Sequence, residues 1–141
     1  VGPEMWIRAR AYPVTDAVAR ADSYKRYEDG YGLNAATMEW FFDHYAPDKT
    51  QRGDWRVSPI RAASLAALPP ALVITAGYDP LCDEGRAYAA RLHKEGTRAD
   101  LVEFGGMLHG FLSSPMLLHG ARRGTSLAAA ALREALVLRA Q

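Results

Sequence analysis

The sequence predicts an α/β fold built on a parallel sheet, and three observations carry that expectation. Residues Ala71 to Ala76 (ALVITA) form an unbroken apolar run with β-branched members, bounded by Pro69-Pro70 and by Gly77. A run without alternation fits a strand covered on both faces. An amphipathic segment, Glu84 to Glu95, follows, with Tyr88, Leu92 and several alanines on one face and Gly96 just past its end, as a helix closed by a left-handed glycine requires. Ala99 to Phe104 (ADLVEF) then reads as the next strand, so the three segments compose a right-handed βαβ unit.

The remaining elements are justified in chain order. Met5 to Tyr12 alternates in part, with Met5, Ile7, Ala9 and Ala11 on one side and Arg8 and Arg10 on the other; it reads as a strand that Pro13 stops. Thr15 to Gly32 is polar and rich in Asp, Tyr and Gly and reads as a long connection. Asn34 offers an N-cap for a helix over Ala35 to Tyr45, where Met38, Phe41, Phe42 and Tyr45 recur at helical spacing before Pro47. Asp48 to Asp54 is a polar turn, and Ile60, Leu65 and Leu68 are short apolar positions leading to the extended Pro69-Pro70. Asp83 offers an N-cap for the helix that follows the ALVITA strand. Gly105-Gly106 reads as a loop, and Ser126 to Arg139 as a terminal helix rich in Ala and Leu.

Composition excludes several classes of function. Lys and Arg number 17 against 16 Asp and Glu, a formal charge of +1, and no basic run exceeds Arg122-Arg123. That leaves no electrostatic footprint for nucleic acid or anionic lipid. The single cysteine, Cys82, rules out an internal disulfide and a multi-cysteine zinc site, and suits a reducing, cytoplasmic setting. Charged residues interrupt every apolar stretch before a membrane-spanning length of about 18 residues. Val1 is not a methionine, and no signal peptide follows it, so the chain is expected to be a piece of a longer one.

In an open parallel sheet, functional groups gather beyond the carboxyl ends of the strands. Two titratable residues stand there. Asp79 follows ALVITA after Gly77-Tyr78, and His109 follows ADLVEF in the segment Gly105-Gly106-Met107-Leu108-His109-Gly110-Phe111. A carboxylate beside an imidazole fixes the ring tautomer and stabilises the imidazolium formed when the ring takes a proton from a nucleophile. Spacing alone leaves Asp79 and Asp83 both open as that carboxylate, although Asp83 better suits an N-cap.

The residues around this pair carry a resemblance. Asp79-Pro80-Leu81-Cys82-Asp83-Glu84-Gly85, followed by Gly106-Met107-Leu108-His109-Gly110-Phe111, resembles the acid and histidine motifs of the hormone-sensitive-lipase-like esterases, a family of α/β-hydrolases. Tyr12-Pro13-Val14-Thr15-Asp16, the helix Met38 to Tyr45, Val57-Ser58-Pro59 and Leu68-Pro69-Pro70-Ala71 are similar to segments in the C-terminal half of those enzymes, so the likeness covers nearly the whole chain. It implies the C-terminal part of an α/β-hydrolase fold with an incomplete sheet over 1–141, in which 17–56 is a lid-like helical insertion. It further implies a carboxylic ester hydrolase acting on a small-molecule ester, with Asp79 as the triad acid, His109 as the general base and no metal or organic cofactor.

One departure is decisive for what the chain could do alone. Such enzymes hold the nucleophile in a Gly-x-Ser-x-Gly elbow and the oxyanion hole in a His-Gly-Gly-type loop. Neither occurs here: serines 23, 58, 64, 113, 114 and 126 lack the flanking glycines. The serine is therefore expected upstream of residue 1, the isolated chain is expected to be inactive, and the strand Met5 to Tyr12 is expected to present an unpaired, apolar edge available for pairing. The alternative is a non-catalytic ligand-binding module, or a non-functional remnant of the same fold.

Other residues have plainer readings. His44 and His93 fall inside helices, His119 falls in the last connection, and no pair has metal-site spacing. Cys82 stands at a helix start, not at an elbow, and reads as a small buried hydrophobe. The stripe Met38, Phe41, Phe42 and Tyr45 has the spacing of a core face. As part of a lid, Phe41 and Phe42 could line a substrate pocket, with Trp40 and Tyr31 as weaker members of the same set.

Overall fold

The computed structural model describes residues 8–137. Three parallel strands form one sheet in the order β1-β2-β3: β1 (Arg8–Ala11), β2 (Ala71–Tyr78) and β3 (Ala99–Leu108). Two short elements, α1 (Asp22–Arg26) and α2 (Ala35–Tyr45), lie between the first two strands. Helix α3 (Cys82–Lys94) joins β2 to β3, and α4 (His119–Val137) ends the described chain.

The central strand accounts for the unalternating ALVITA run. Leu72, Ile74 and Ala76 face one way, into a cluster with Phe111 and Ala121 of α4. Ala71 faces the other way, with Leu65 and the α3 residues Tyr88 and Leu92. Both faces of β2 are covered, so its positions are apolar except Thr75, whose hydroxyl donates to Glu103 at 3.3 Å. Gly85 lets α3 approach closely, since a Cβ there would lie 2.7 Å from Thr75 Cγ2. Gly96, at φ 81°, closes α3 as the sequence suggested. Asn34 caps α2, its side chain accepting from the Thr37 amide at 2.8 Å.

Several expectations are corrected. β1 is described from Arg8, so Met5 to Ile7 lie outside the described residues; it ends before Tyr12, whose φ of 35° places it in the left-handed region. A bulky residue there costs on the order of 1–3 kcal/mol, and this kink, ahead of Pro13, ends the strand. β1 is an edge strand with no partner on its outer side among the described residues. The described part of that edge reads Arg8-Ala9-Arg10-Ala11, charged and small; the apolar Met5 and Ile7 of the expected strand lie outside the described residues. The connection Thr15 to Gly32 contains α1, and Asp48 to Asp54 is a 3-10 turn over Lys49–Gly53 capped by Asp48.

Asp83 is not an N-cap. α3 begins at Cys82, two residues before the expected Glu84, and its cap position is Leu81, without a side-chain cap. The Asp83 carboxylate is taken by the Ser23 amide at 3.0 Å and by Arg26 and Arg86 at 2.5 Å each; Arg86 lies one turn on along α3, while Ser23 and Arg26 are partners that only the tertiary fold supplies. α4 begins at His119, seven residues before the expected Ser126, and the expected end at Arg139 lies outside the described residues. Gly120 and Gly124 disguised its first turns. Their lack of a side chain serves packing, for a Cβ at Gly124 would meet Leu112 Cδ2 at 2.5 Å.

Gly105-Gly106 is not a loop but an irregular stretch inside β3. Ala76 pairs with Phe104, whereas Tyr78 pairs with Leu108, so β3 carries two extra residues at this point. The strands come so close there that a Cβ on Gly77 would lie 2.2 Å from Gly105 O. With the register of the first half of the strand continued, Asp79 would stand opposite Met107. The bulge advances β3 and places His109 opposite Asp79 instead.

Candidate active site

Asp79 and His109 leave the sheet from adjacent parallel strands, each one residue past its strand's last position. His109 Nδ1 lies 2.8 Å from Asp79 Oδ2. A carboxylate can only accept, so the proton of this bond belongs to Nδ1, and in the neutral ring Nε2 carries the lone pair. Asp79 is fully buried, and its other oxygen, Oδ1, accepts from the Leu81 amide at 2.8 Å. Both carboxylate oxygens are thus held, one by the turn that opens α3 and one by the imidazole. Gly110, at φ 78°, turns the chain sharply after His109.

The imidazole opens on a cavity of about 980 Å³ walled by His109, Tyr12, Met38, Phe41, Phe42 and Trp55 among others. Phe41 and Phe42 therefore share a cavity with His109. Trp40 and Tyr31 are not among its walls. Trp40 packs at 5.2 Å from Phe41 and 4.2 Å from His44, behind the lining. Tyr31 stacks on Tyr78 at 5.5 Å with the rings nearly parallel, and Tyr27 meets both edge-on.

Two features had escaped the reading of the sequence. Tyr12 lies against the imidazole, with ring centroids 4.6 Å apart, and only the Tyr-Pro pair hints at a special backbone there. Burial raises its phenol pKa above the ordinary value, so the ring stays neutral. Beneath Asp79, Glu84 is buried, with Oε1 accepting from the Thr15 amide at 3.1 Å and Oε2 without a hydrogen-bond partner. Burial pushes its carboxyl up to about 8, so it is neutral at pH 7. Cys82 is buried, and burial raises its thiol pKa, the opposite of what a nucleophilic thiolate requires.

The wall carrying Phe41 and Phe42 is tied down by Arg52. This buried guanidinium donates to Glu39 at 2.6 Å, Asp43 at 2.5 Å and Ala46 O at 3.1 Å. Among the described residues, no three His, Cys, Asp or Glu side chains cluster to hold a metal ion, and no helix is long and apolar enough to cross a membrane.

The profile of a family described as having the alpha/beta hydrolase fold matches residues 6–113. The chain belongs to the α/β-hydrolase family. Among the chain's relatives, the carboxylic ester hydrolase LipN of Mycobacterium tuberculosis is 39% identical over 133 residues, 94% of this chain and 35% of its own length. The ethyl acetate hydrolase of Pseudomonas putida is 37% identical over 128 residues, 91% of this chain and 40% of its own. The solved structure of EstE1, a thermostable carboxylesterase from a metagenomic library, superposes with a TM-score of 0.89 at 36% identity, over 93% of this chain and 45% of that one. This α/β-hydrolase chain thus spans well under half the length of the relatives it matches.

Proposed function

We propose that the chain supplies the acid and base of a serine-dependent carboxylic ester hydrolase. The observation that carries the reading is the 2.8 Å bond between His109 Nδ1 and Asp79 Oδ2, with the imidazole open to an apolar-walled cavity. His109 Nε2 takes the proton from a serine hydroxyl as its oxygen attacks the ester carbonyl. It returns that proton to the departing alcohol, and then activates a water molecule to release the acid. Asp79 keeps the ring in one tautomer and faces the positive charge that forms on it. Phe41 and Phe42 line the space for a small ester, Trp40 backs Phe41, and the segment 17–56 acts as a lid. Serine and oxyanion hole come from sequence other than these residues, and the 141-residue chain alone does not turn over ester. A cytoplasmic setting belongs to the same reading, supported by the one reduced, buried thiol.

The test is hydrolysis of a p-nitrophenyl acyl ester by the chain, alone and mixed with a separately produced segment of a relative that contains the Gly-x-Ser-x-Gly elbow. The chain alone is expected to show no hydrolysis that His109→Ala removes. The mixture is expected to hydrolyse the ester, and Asp79→Asn to lower the rate by about 10⁴-fold, the usual cost of a wrong histidine tautomer. A mixture that forms a stable complex yet leaves the ester intact overturns the acid and base assignment. Hydrolysis by the chain alone, abolished by His109→Ala, overturns the division of the site.

A further inference from the structure

Tyr12 closes the ladder between β1 and β2, its amide donating to Ile74 O at 2.6 Å, and at the same residue the backbone turns to φ 35°. A bulky side chain is strained in that region, and strain of this kind persists only where surrounding contacts over-determine it. The contacts of the Tyr12 ring converge on one short segment. The ring lies 4.6 Å from the His109 imidazole and 5.9 Å from the Phe111 ring, centroid to centroid, and its hydroxyl faces the backbone of Leu112. These three residues flank Gly110, where the chain turns.

A single hydrogen bond fixes one atom of an imidazole and leaves the ring free to swing about it. The His109 side chain is 28% exposed, so general burial does not hold it, while general-base work needs placement within roughly 0.5 Å and 10–20°. A second contact on the ring, the tilted Tyr12 phenol with its plane 55° from that of the imidazole, supplies the missing restraint. We propose that Tyr12 is a positioning residue for His109: its kinked backbone presses the phenol ring against the imidazole and keeps Nδ1 on Asp79 with Nε2 toward the cavity. The proposal deepens, and rests on, the reading of His109 as general base. It explains why the strand ends on a strained aromatic residue where a glycine would fit without cost.

The experiment uses the chain as it is and needs no turnover, so its failure is distinct from failure of the ester assay. In nitrogen-15-labelled protein, the His109 Nδ1 proton is followed by NMR, with His44, His93 and His119 as internal references. In the unmodified chain, Tyr12 ring protons are expected to show nuclear Overhauser contacts to the His109 ring; their absence overturns the proposal whatever the variants do. Tyr12→Phe keeps the ring and is expected to leave exchange of the Nδ1 proton with water within about twofold. Tyr12→Gly relieves the backbone and removes the ring, and is expected to speed that exchange by about tenfold or more through local opening, with β2 and β3 amides retained. Unchanged exchange in Tyr12→Gly overturns the proposal. So does equal loss in Tyr12→Phe, which would assign the effect to the hydroxyl. If Tyr12→Gly fails to fold, Tyr12→Leu replaces it under the same criteria.

Discussion

Gly77→Ala isolates the feature that brings the two site residues together. The added methyl group would stand 2.2 Å from Gly105 O and 2.7 Å from both Gly105 C and Cα. All three are backbone atoms of β3, so no side chain can swing away. An ordinary carbon-to-oxygen contact is about 3.3 Å, so β2 and β3 must part by roughly 1 Å. Overpacking of this kind costs about 1–3 kcal/mol, which for a chain of this length lowers the melting temperature by roughly 3–10 °C. The same displacement stretches the 2.8 Å contact between Asp79 and His109 beyond hydrogen-bonding reach, at about 3.5 Å. The assay pairs a thermal melt with NMR observation of the His109 Nδ1 proton. Gly105→Ala is the control, because a Cβ there meets nothing within 4 Å. A Gly77→Ala protein that melts within about 2 °C of the parent and keeps its Nδ1 proton would refute the argument that this close approach sets the register of the pair.

Glu84 gives a pH signature. Its carboxyl is raised to about 8, so the stability it permits is complete below the ordinary value of 4.5 and is lost as pH rises through 8. Urea unfolding is expected to show a decline across that window, at most about 1.4 kcal/mol per pH unit, and Glu84→Gln is expected to flatten it. Glu39 has the opposite sign: hydrogen bonds from Arg52 and Arg20 hold it down to about 2, so its contribution is present above pH 4.5 and fades as pH falls through 2. Arg52→Ala is expected to destabilise the chain by about 1–3 kcal/mol at pH 7, because it also removes the bond to Ala46 O. Since Glu39 is well exposed, the deficit is expected to narrow only modestly between pH 5 and pH 2 in the same assay.

Which parts of this molecule were legible in the sequence follows from how local their causes are. The ALVITA strand showed itself because cover on both faces leaves no room for alternation, and α2 because Asn34 and Pro47 bracket it within a dozen positions. That a carboxylate and His109 meet beyond the strand ends was legible because side chains at the ends of adjacent parallel strands converge; that the carboxylate is Asp79 and not Asp83 was left open by spacing alone. The bulge was not, since glycines punctuate loops and strands alike and only the pairing of β2 with β3 tells them apart. The first turns of α4 were hidden for a related reason: Gly120 and Gly124 weaken the helical signal, and they are there to admit Met107 and Leu112. Asp83 looked like a cap because its true partners, Ser23, Arg26 and Arg86, include two that lie 57 and 60 positions away. The role of Tyr12 depends on a backbone angle, which no pattern of residue types encodes.

The two guanidinium groups on β1 also bear on how the molecule behaves in company. Were two copies to meet rim to rim along this strand, Arg10 of each would be brought near the other, with Arg8 drawn back onto Pro69 O and the Tyr88 hydroxyl, and like charges repel over about 10 Å at 0.1 M salt. Fibre-like stacking of identical chains is thereby penalised most in dilute buffer and least in concentrated brine. A neighbour bearing carboxylates would experience attraction under the same conditions. Ionic strength therefore modulates how strongly Arg10 weighs on a contact along this flank of the described sheet.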